Sequence, residues 1–351
     1  MKKIILRLLL SLLLLAGAYG AYRLWLLHGT APHTVSCIYS SGSAVWINAD
    51  SLLAGLDQEG LHAEAVESED PFAAALEALQ DGSTILIVSL DTAPANFSIL
   101  DAAAARGATL FFVGEYPGDA FLAAYDKAYY VGSRAEYAGE LAGDAAAQAF
   151  RSGAAADINQ DQLLAYLSTD ADTAVKQTWF SSLLQESEHY GVYTADAVSP
   201  YVQDSITADD AESVDAAESS ASSISQAADP WSNLAYAPEM IVALGAEDFA
   251  QSRQYASNAG WLSRELPPYW IGFAMGARQA AQMRQDGCNA VVYYDADSVT
   301  DTILKMVMNI SRQDYVAEST GYSPDPQHAV WVPYQLLADA SSEGSAASGT
   351  S

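Results

Sequence analysis

Tyr125-Asp126-Lys127-Ala128-Tyr129-Tyr130-Val131-Gly132-Ser133-Arg134-Ala135-Glu136-Tyr137-Ala138-Gly139-Glu140-Leu141-Ala142-Gly143-Asp144-Ala145-Ala146-Ala147-Gln148-Ala149-Phe150 carries a strand directly into a helix. Residues 128–131 are apolar, aromatic and β-branched, as a buried strand requires. Gly132 permits a turn that a side chain would obstruct. Ser133 is placed to accept the first free helix N–H groups, with Glu136 three residues on, the pattern of a capping box. Ala138, Leu141, Ala142, Ala145 and Ala149 then recur at helical spacing. Gly139 and Gly143 lie four residues apart on a nearby face, and the expectation is that this helix presses against a sheet.

Outward from this unit the pattern alternates. Apolar strand candidates occupy 35–39, 85–90, 109–113, 128–131, 163–167, 240–244, 270–273, 290–294 and 330–334. Helix-period segments lie between them, at 45–56, 71–80, 94–106, 134–151, 173–189, 247–259, 276–286 and 298–311. Near-continuous apolar strands alternating with helices predict α/β architecture, with parallel sheets covered on both faces. No internal sequence repeat is evident.

The totals narrow the function. The 351 residues carry 15 basic and 44 acidic side chains, a net charge of −29. Such a surface repels phosphate backbones, which argues against nucleic-acid binding. Four of the bases, Lys2, Lys3, Arg7 and Arg23, lie at the start, around an apolar run over 8–22. This is an export segment with its N-terminus in the cytoplasm. Ala16-Gly17-Ala18 fits an Ala-x-Ala cleavage site, whereas 8–27 is also long enough to remain as an anchor if Arg23 snorkels. No cysteine stands there for lipid attachment. The two cysteines, Cys37 and Cys288, are too few for a disulfide framework and read as small apolar core residues. The stretch 204–229 is acidic and rich in Ser and Ala, yet Ala208, Ala211, Val214, Ala217, Ala221, Ile224 and Ala228 keep helical spacing, which favours a surface helix. The Ser/Gly/Ala tail at 341–351 reads as disordered.

Tyr125 to Gly132, followed by Ala138-Gly139 and Ala142-Gly143-Asp144, resembles the galactose/glucose-binding proteins of sugar ABC importers, and the resemblance runs in order from about residue 34 to 337. It implies the type I periplasmic-binding-protein fold: two Rossmann-like lobes joined by three crossovers, near Val131, at 294–297 and near Asp325. The first lobe would take 34–131 and 295–325, and the second 132–294 and 326–338, with 1–33 as leader and 339–351 as tail. It also implies solute binding in the cleft between lobes with hinge closure, an ABC permease as membrane partner, an extracytoplasmic and membrane-associated or secreted location, and a monomer. A membrane-tethered sensor or accessory protein that reuses the fold with a degenerate pocket is the alternative, and its partner would be a sensor protein.

The resemblance maps the solute site onto Ser43 and Val45 or Trp46 after the first strand, Val113, Ala246 and Glu247, Ala274, and Tyr294 beside Asp295. Asp170-Ala171-Asp172 and Lys176 fall on the family's His-Pro-Asp-x3-Arg segment. Relatives grip sugar hydroxyls with carboxylates, amides and an arginine, because each buried hydroxyl must be re-bonded. Most of that set is replaced here, and lysine lacks the planar fork of arginine. A pocket lined by Val113, Ala246, Ala274, Trp46 and Tyr294 is therefore expected to be more apolar and aromatic than a hexose site, and to hold galactose or glucose weakly. Asp157, Asn159 and Asp161 take positions 1, 3 and 5 of a calcium-type loop. Gln162 and Ala165 replace its turn glycine and ninth position, and Asp196 is the nearest substitute for its distant glutamate, so Ca2+ retention is an open expectation. Trp179 and Trp231 read as core or interface residues. His28, His33, His62, His189 and His328 are dispersed without metal-ligand spacing. Nothing matches a nucleophile elbow, a phosphate loop or a dinucleotide fingerprint, so no enzyme is expected. Ser40-Ser41-Gly42-Ser43 reads only as a small polar loop facing the ligand.

Overall fold

The computed structural model describes residues 33–155, 162–167, 174–189, 194–198 and 238–338. The leader, the calcium-type loop at 157–161, Asp170 to Asp172, the acidic stretch at 204–229, Trp231 and the tail lie outside the described residues. The chain divides into two compact units, one of 1–132 and 299–330, the other of 133–298 and 331–351.

In chain order the first unit opens with β1 (Thr34–Tyr39), a 3-10 turn (Ser43–Trp46), α1 (Ala49–Gln58), β2 (His62–Glu67), α2 (Pro71–Gln80) and β3 (Ile85–Leu90). It continues through α3 (Ser98–Arg106), β4 (Thr109–Gly114), α4 (Asp119–Leu122) and β5 (Ala128–Gly132). The second unit holds α5 (Ala135–Ser152), β6 (Gln162–Leu167), α6 (Ala174–His189), β7 (Thr194–Val198), β8 (Met240–Ala243) and α7 (Ala246–Asn258). Then come β9 (Tyr269–Ala274), α8 (Ala277–Gln285) and β10 (Ala290–Tyr293). Helix α9 (Ala296–Arg312) begins in the second unit and ends in the first, followed by β11 (Ala329–Trp331) and β12 (Gln335–Ala338).

Each unit is built on one six-stranded sheet, ordered β11-β5-β4-β3-β1-β2 in the first and β12-β10-β9-β8-β6-β7 in the second. The pairs from β1 to β5 and from β6 to β10 are parallel, and β12 is antiparallel to β10. Discounting β11 and β12, both sheets follow the order 2-1-3-4-5. Every residue of β3 is buried, as a central parallel strand covered on both faces demands. At the start of α2, Asp70 accepts the Ala73 N–H at 3.0 Å, and Pro71 occupies the first helical position.

Three features depart from the sequence reading. Strand β2 was not expected because it is an edge strand whose His62, Glu64 and Glu67 are exposed, so it shows no apolar run. The expected single strand at 330–334 is two: β11 closes the first sheet beside β5, Pro333 interrupts the ladder, and β12 joins the second sheet. The last passage between units therefore falls at 330/331 rather than near Asp325. Ser133 does not cap α5: Arg134 is the N-cap residue without a side-chain cap bond, and Ser133 Oγ donates to the Val332 carbonyl at 2.5 Å. Cys37 and Cys288 are buried free thiols in separate units, and burial pushes both up to about 12.

Gly139 and Gly143 face α6, not a sheet. A Cβ on Gly139 would lie 2.4 Å from the Trp179 carbonyl oxygen and from Ser182 Cβ, and one on Gly143 2.6 Å from Glu186 Cβ. The two helix backbones thus meet at a distance only glycine allows. Gly139→Ala should lower stability by about 1–3 kcal/mol, read as a fall of several degrees in thermal unfolding. An unchanged midpoint would show that the helices separate at no cost.

Candidate functional site

In a sheet ordered 2-1-3-4-5 the chain reverses its direction of travel between the first and third strands. The crevice at that point, outside the carboxyl ends, is where open α/β sheets hold ligands. In the first unit it lies between β1 and β3, and in the second between β6 and β8.

On the first unit, register pairs Ile38 with Val88 and Leu90 with Gly114. Asp91 and Glu115 therefore emerge side by side from β3 and β4, about one strand spacing (~4.8 Å) apart, and Ser40 leaves β1 level with Leu90, one residue before Asp91. Ser40 Oγ donates to the Asp91 carboxylate. Asp91 is exposed, and its Oδ1 would lie 3.1 Å from a Cβ on Gly42. Glu115, an exposed residue, donates its backbone N–H to the Leu90 carbonyl at 3.0 Å, and partial desolvation raises its carboxyl above the ordinary value. Trp46 is half-buried against the end of β4. Gly114 there has φ +87, and a Cβ would meet Trp46 Cδ1 at 2.7 Å and the Leu90 carbonyl oxygen at 2.4 Å, so only glycine lets the indole lie down. Tyr116 sits edge-on to Tyr130 at 5.1 Å and bonds the Asp119 carboxylate. The segments after β1, β2, β3 and β4 contain no Lys, Arg or His.

On the second unit, β8 ends at Ala243, and α7 starts after only Leu244 and Gly245. Asp248 in its first turn has a side chain only 1% exposed, and Lys176 Nζ lies 3.4 Å from its Oδ2. A Cβ on Gly245 would stand 3.1 Å from Asp248 Oδ2 and 3.7 Å from Lys176 Nζ, so the ion pair rests directly on the end of the strand. Glu247 is exposed beside it. Asp295 accepts the Ser298 N–H at 3.1 Å and the Ser298 hydroxyl at 2.7 Å, capping α9. Trp179 stacks on Phe273 at 4.9 Å and meets Tyr334 edge-on, and Tyr294 meets the same Tyr334 ring at 5.9 Å. Burial pushes the Tyr334 hydroxyl well above its ordinary value.

The residues expected at a solute site thus separate. Trp46 lies at the first edge, and Lys176 and Glu247 lie at the second. Ser43 is fully buried inside its own turn: its hydroxyl accepts the Ser40 N–H at 2.9 Å, and its carbonyl accepts from Ser89 Oγ. Tyr294 is 1% exposed, and Val113 and Ala274 are core residues, so none of the three lines an open surface. The first edge is consequently more polar than expected. Asp295 serves as a helix cap, and Asp172 lies outside the described residues. Asp91 and Asp248 were missed. The signal for Asp91 was available: a carboxylate immediately follows the six apolar-to-buried residues of β3. Asp248 lies one position beyond the residue that the resemblance indicated. Among the described residues, no group of three His, Cys, Asp or Glu side chains could hold a metal, and no helix is long and apolar enough to cross a membrane.

No protein-family model matches the chain, and no curated protein matches it. Solved structures do. A sugar ABC transport system substrate-binding protein from Bordetella parapertussis 12822 aligns at TM-score 0.60 and 12% identity, over 88% of this chain and 90% of that one. GanP, a glucose-galactose binding protein from Geobacillus stearothermophilus, aligns at 0.56 and 13%, over 88% and 98%. A periplasmic solute-binding protein from Actinobacillus succinogenes 130z with bound D-allose aligns at 0.58 and 12%, over 87% and 97%. At this identity the likeness establishes the fold, that of the type I periplasmic binding proteins, and not the ligand.

Removing Lys176 leaves the Asp248 carboxylate without its cation in a buried place. Lys176→Met should cost roughly 1–3 kcal/mol in urea unfolding. A loss under about 0.5 kcal/mol would place the pair among solvent-screened surface bridges instead.

Proposed function

We propose that this chain is an extracytoplasmic solute-binding protein of a sugar-type ABC importer. The observation that carries the proposal is the repeated 2-1-3-4-5 order, with polar side chains at both reversal points: Ser40 and Asp91 in one unit, Lys176 and Asp248 in the other. The solute is small and carbohydrate-like, or a more apolar or aromatic relative. Asp91 and Glu115 accept hydrogen bonds from its hydroxyls, Trp46 offers an aromatic ring to its C–H face, and Lys176 and Asp248 supply one donor and one acceptor group. No covalent step is involved. Binding favours a closed arrangement of the two units, reached by hinge motion at the three crossovers, and that form docks on a membrane permease. The neighbours named above, which include sugar-binding proteins, support this reading, as does the basic and apolar start of the sequence for export.

Thermal unfolding against hexoses, pentoses, cyclic polyols, nucleosides and aromatic metabolites tests it. A true solute at about 100 times its dissociation constant adds ~2.7 kcal/mol, a shift of several degrees. Asp91→Asn should then weaken that solute by roughly tenfold or more, because it removes a charge-assisted acceptor while keeping the side-chain shape. Silence across the panel from a cooperatively folding protein would overturn the transport reading and favour a tethered sensor or accessory role. A shift with galactose or glucose at micromolar concentration would overturn the expectation that those hexoses bind weakly.

A further inference from the structure

The second unit carries a cleft at the opposite end of its sheet. Its volume is about 270 Å³, and Arg253, Leu262, Leu266, Pro268, Trp270 and Asn289 are among its walls. Tyr269 begins β9 and Asn289 immediately precedes β10, so the cleft lies at the amino edge of these parallel strands. The six residues of β9 separate it from the carboxyl edge by about 20 Å. It is therefore a different place from the candidate solute site.

One wall is apolar. Leu266 is 49% exposed, Pro267 is exposed and Leu262 is half-buried. The polar groups opposite are donors. Arg253 is half-buried, with its guanidinium carbon 5.8 Å from the Phe249 ring centroid and 5.9 Å from that of Trp270. One of its nitrogens donates to the Asp286 carbonyl, while the Asp286 carboxylate accepts from Gln282 at 3.1 Å. Among the described residues Arg253 forms no ion pair, unlike Lys176 with Asp248, Lys305 with Asp301 and Arg312 with Glu59. A guanidinium has five N–H donors, so several remain for a ligand. Asn289 Oδ1 accepts the Trp270 backbone N–H at 2.8 Å, which leaves its amide N–H groups as the available part. Arg284 donates to the Cys288 carbonyl on the same turn. In a chain with 44 acidic and 15 basic residues, an arginine without a carboxylate partner beside an apolar wall is a distinctive local charge.

We infer that this cleft is an accessory binding site for a small apolar carboxylate, with the acid on Arg253 and Asn289 and a single aromatic ring or branched aliphatic body against Leu262, Leu266 and Pro268. The volume is just under the ~300 Å³ at which ordinary ligand pockets begin, which suits one ring and excludes larger amphiphiles. The recognition is charge-assisted and fork-like, so a neutral amide of the same shape binds less well.

The probe is benzoate, with benzamide as its neutral counterpart, titrated into the full chain and followed by ligand-observed saturation-transfer NMR. Benzoate should bind saturably, benzamide at least tenfold more weakly, and Arg253→Gln should weaken benzoate at least tenfold, with partial recovery in Arg253→Lys. Leu266→Glu guards against misfolding of the arginine variants, because its side chain is half exposed. It should also abolish benzoate binding, through repulsion and loss of the wall, while thermal unfolding stays as in the parent. Asp91→Asn, at the other site, should leave benzoate binding unchanged whether or not the solute reading holds. Equal binding of benzoate and benzamide, an unaltered affinity in Arg253→Gln or Leu266→Glu, loss of binding in Asp91→Asn, or no saturation below roughly 10 mM would each overturn the inference.

Discussion

Parallel pairing is the constraint from which the molecule follows. Two parallel strands cannot be joined by a tight turn, so the chain must return the full length of the sheet before each new parallel strand. All carboxyl ends therefore gather on one edge and all amino ends on the other. Because both sheets start in the middle, the chain lays β2 on one side of β1 and β3 on the other, and does the same with β7, β6 and β8. The helices after β1 and β3 leave in opposite directions, and a gap opens above those two strand ends. Ser40 and Asp91 occupy that gap in the first unit, and Gly245 with the Lys176–Asp248 pair marks its counterpart in the second. Buried apolar strands thus make the fold, and short polar segments past their ends make the two crevices.

The passages between units are also shaped by backbone chemistry. Just beyond β5 and β11, Ser133 Oγ bonds the Val332 carbonyl, and the Arg134 guanidinium lies 4.3 Å from the Trp331 ring centroid. These contacts fasten two neighbouring passages side by side with a hydrogen bond and a cation–π contact, the latter worth about 0.5–1 kcal/mol where exposed. The third passage is made differently. Division of the chain at 298/299 falls within the first turn of α9, whose N-terminus is fixed by Asp295. A helix resists bending through its successive backbone bonds, so compliance there is confined to the residues around the cap.

The sequence disclosed the buried strands and the long helices because their apolar period is set by the core. It disclosed little where another force decides. Strand β2 is held by backbone pairing at a solvent edge, so its charged residues hide it. The capping pattern at Ser133 is real as a pattern, but the Val332 carbonyl, 199 residues away and just past β11, takes the hydroxyl instead. Gly139 and Gly143 announced a close approach without naming the partner, since a helix buried on two sides has two candidates, a sheet and α6. At the solute edge, Ser43 and Tyr294 stand at the right distance along the chain, yet burial withdraws both. Asp91 shares the edge because strand register places it there, and register is a property of pairing that no single strand records.

The chemistry of the two edges is not the same, and the difference constrains what can lie against them. Ionised carboxylates only accept hydrogen bonds, and no base follows any strand from β1 to β4, so the first edge asks a ligand for donors. At the second edge Asp248 is already compensated by Lys176, and the buried pair would gain little from a second charge, whereas a neutral group can bond either partner without disturbing their mutual attraction. At either edge by itself a neutral hydroxyl can hydrogen-bond without bringing a net charge beside the carboxylate. At the first edge an anion would face Asp91 with no Lys, Arg or His in the segments that follow β1 to β4.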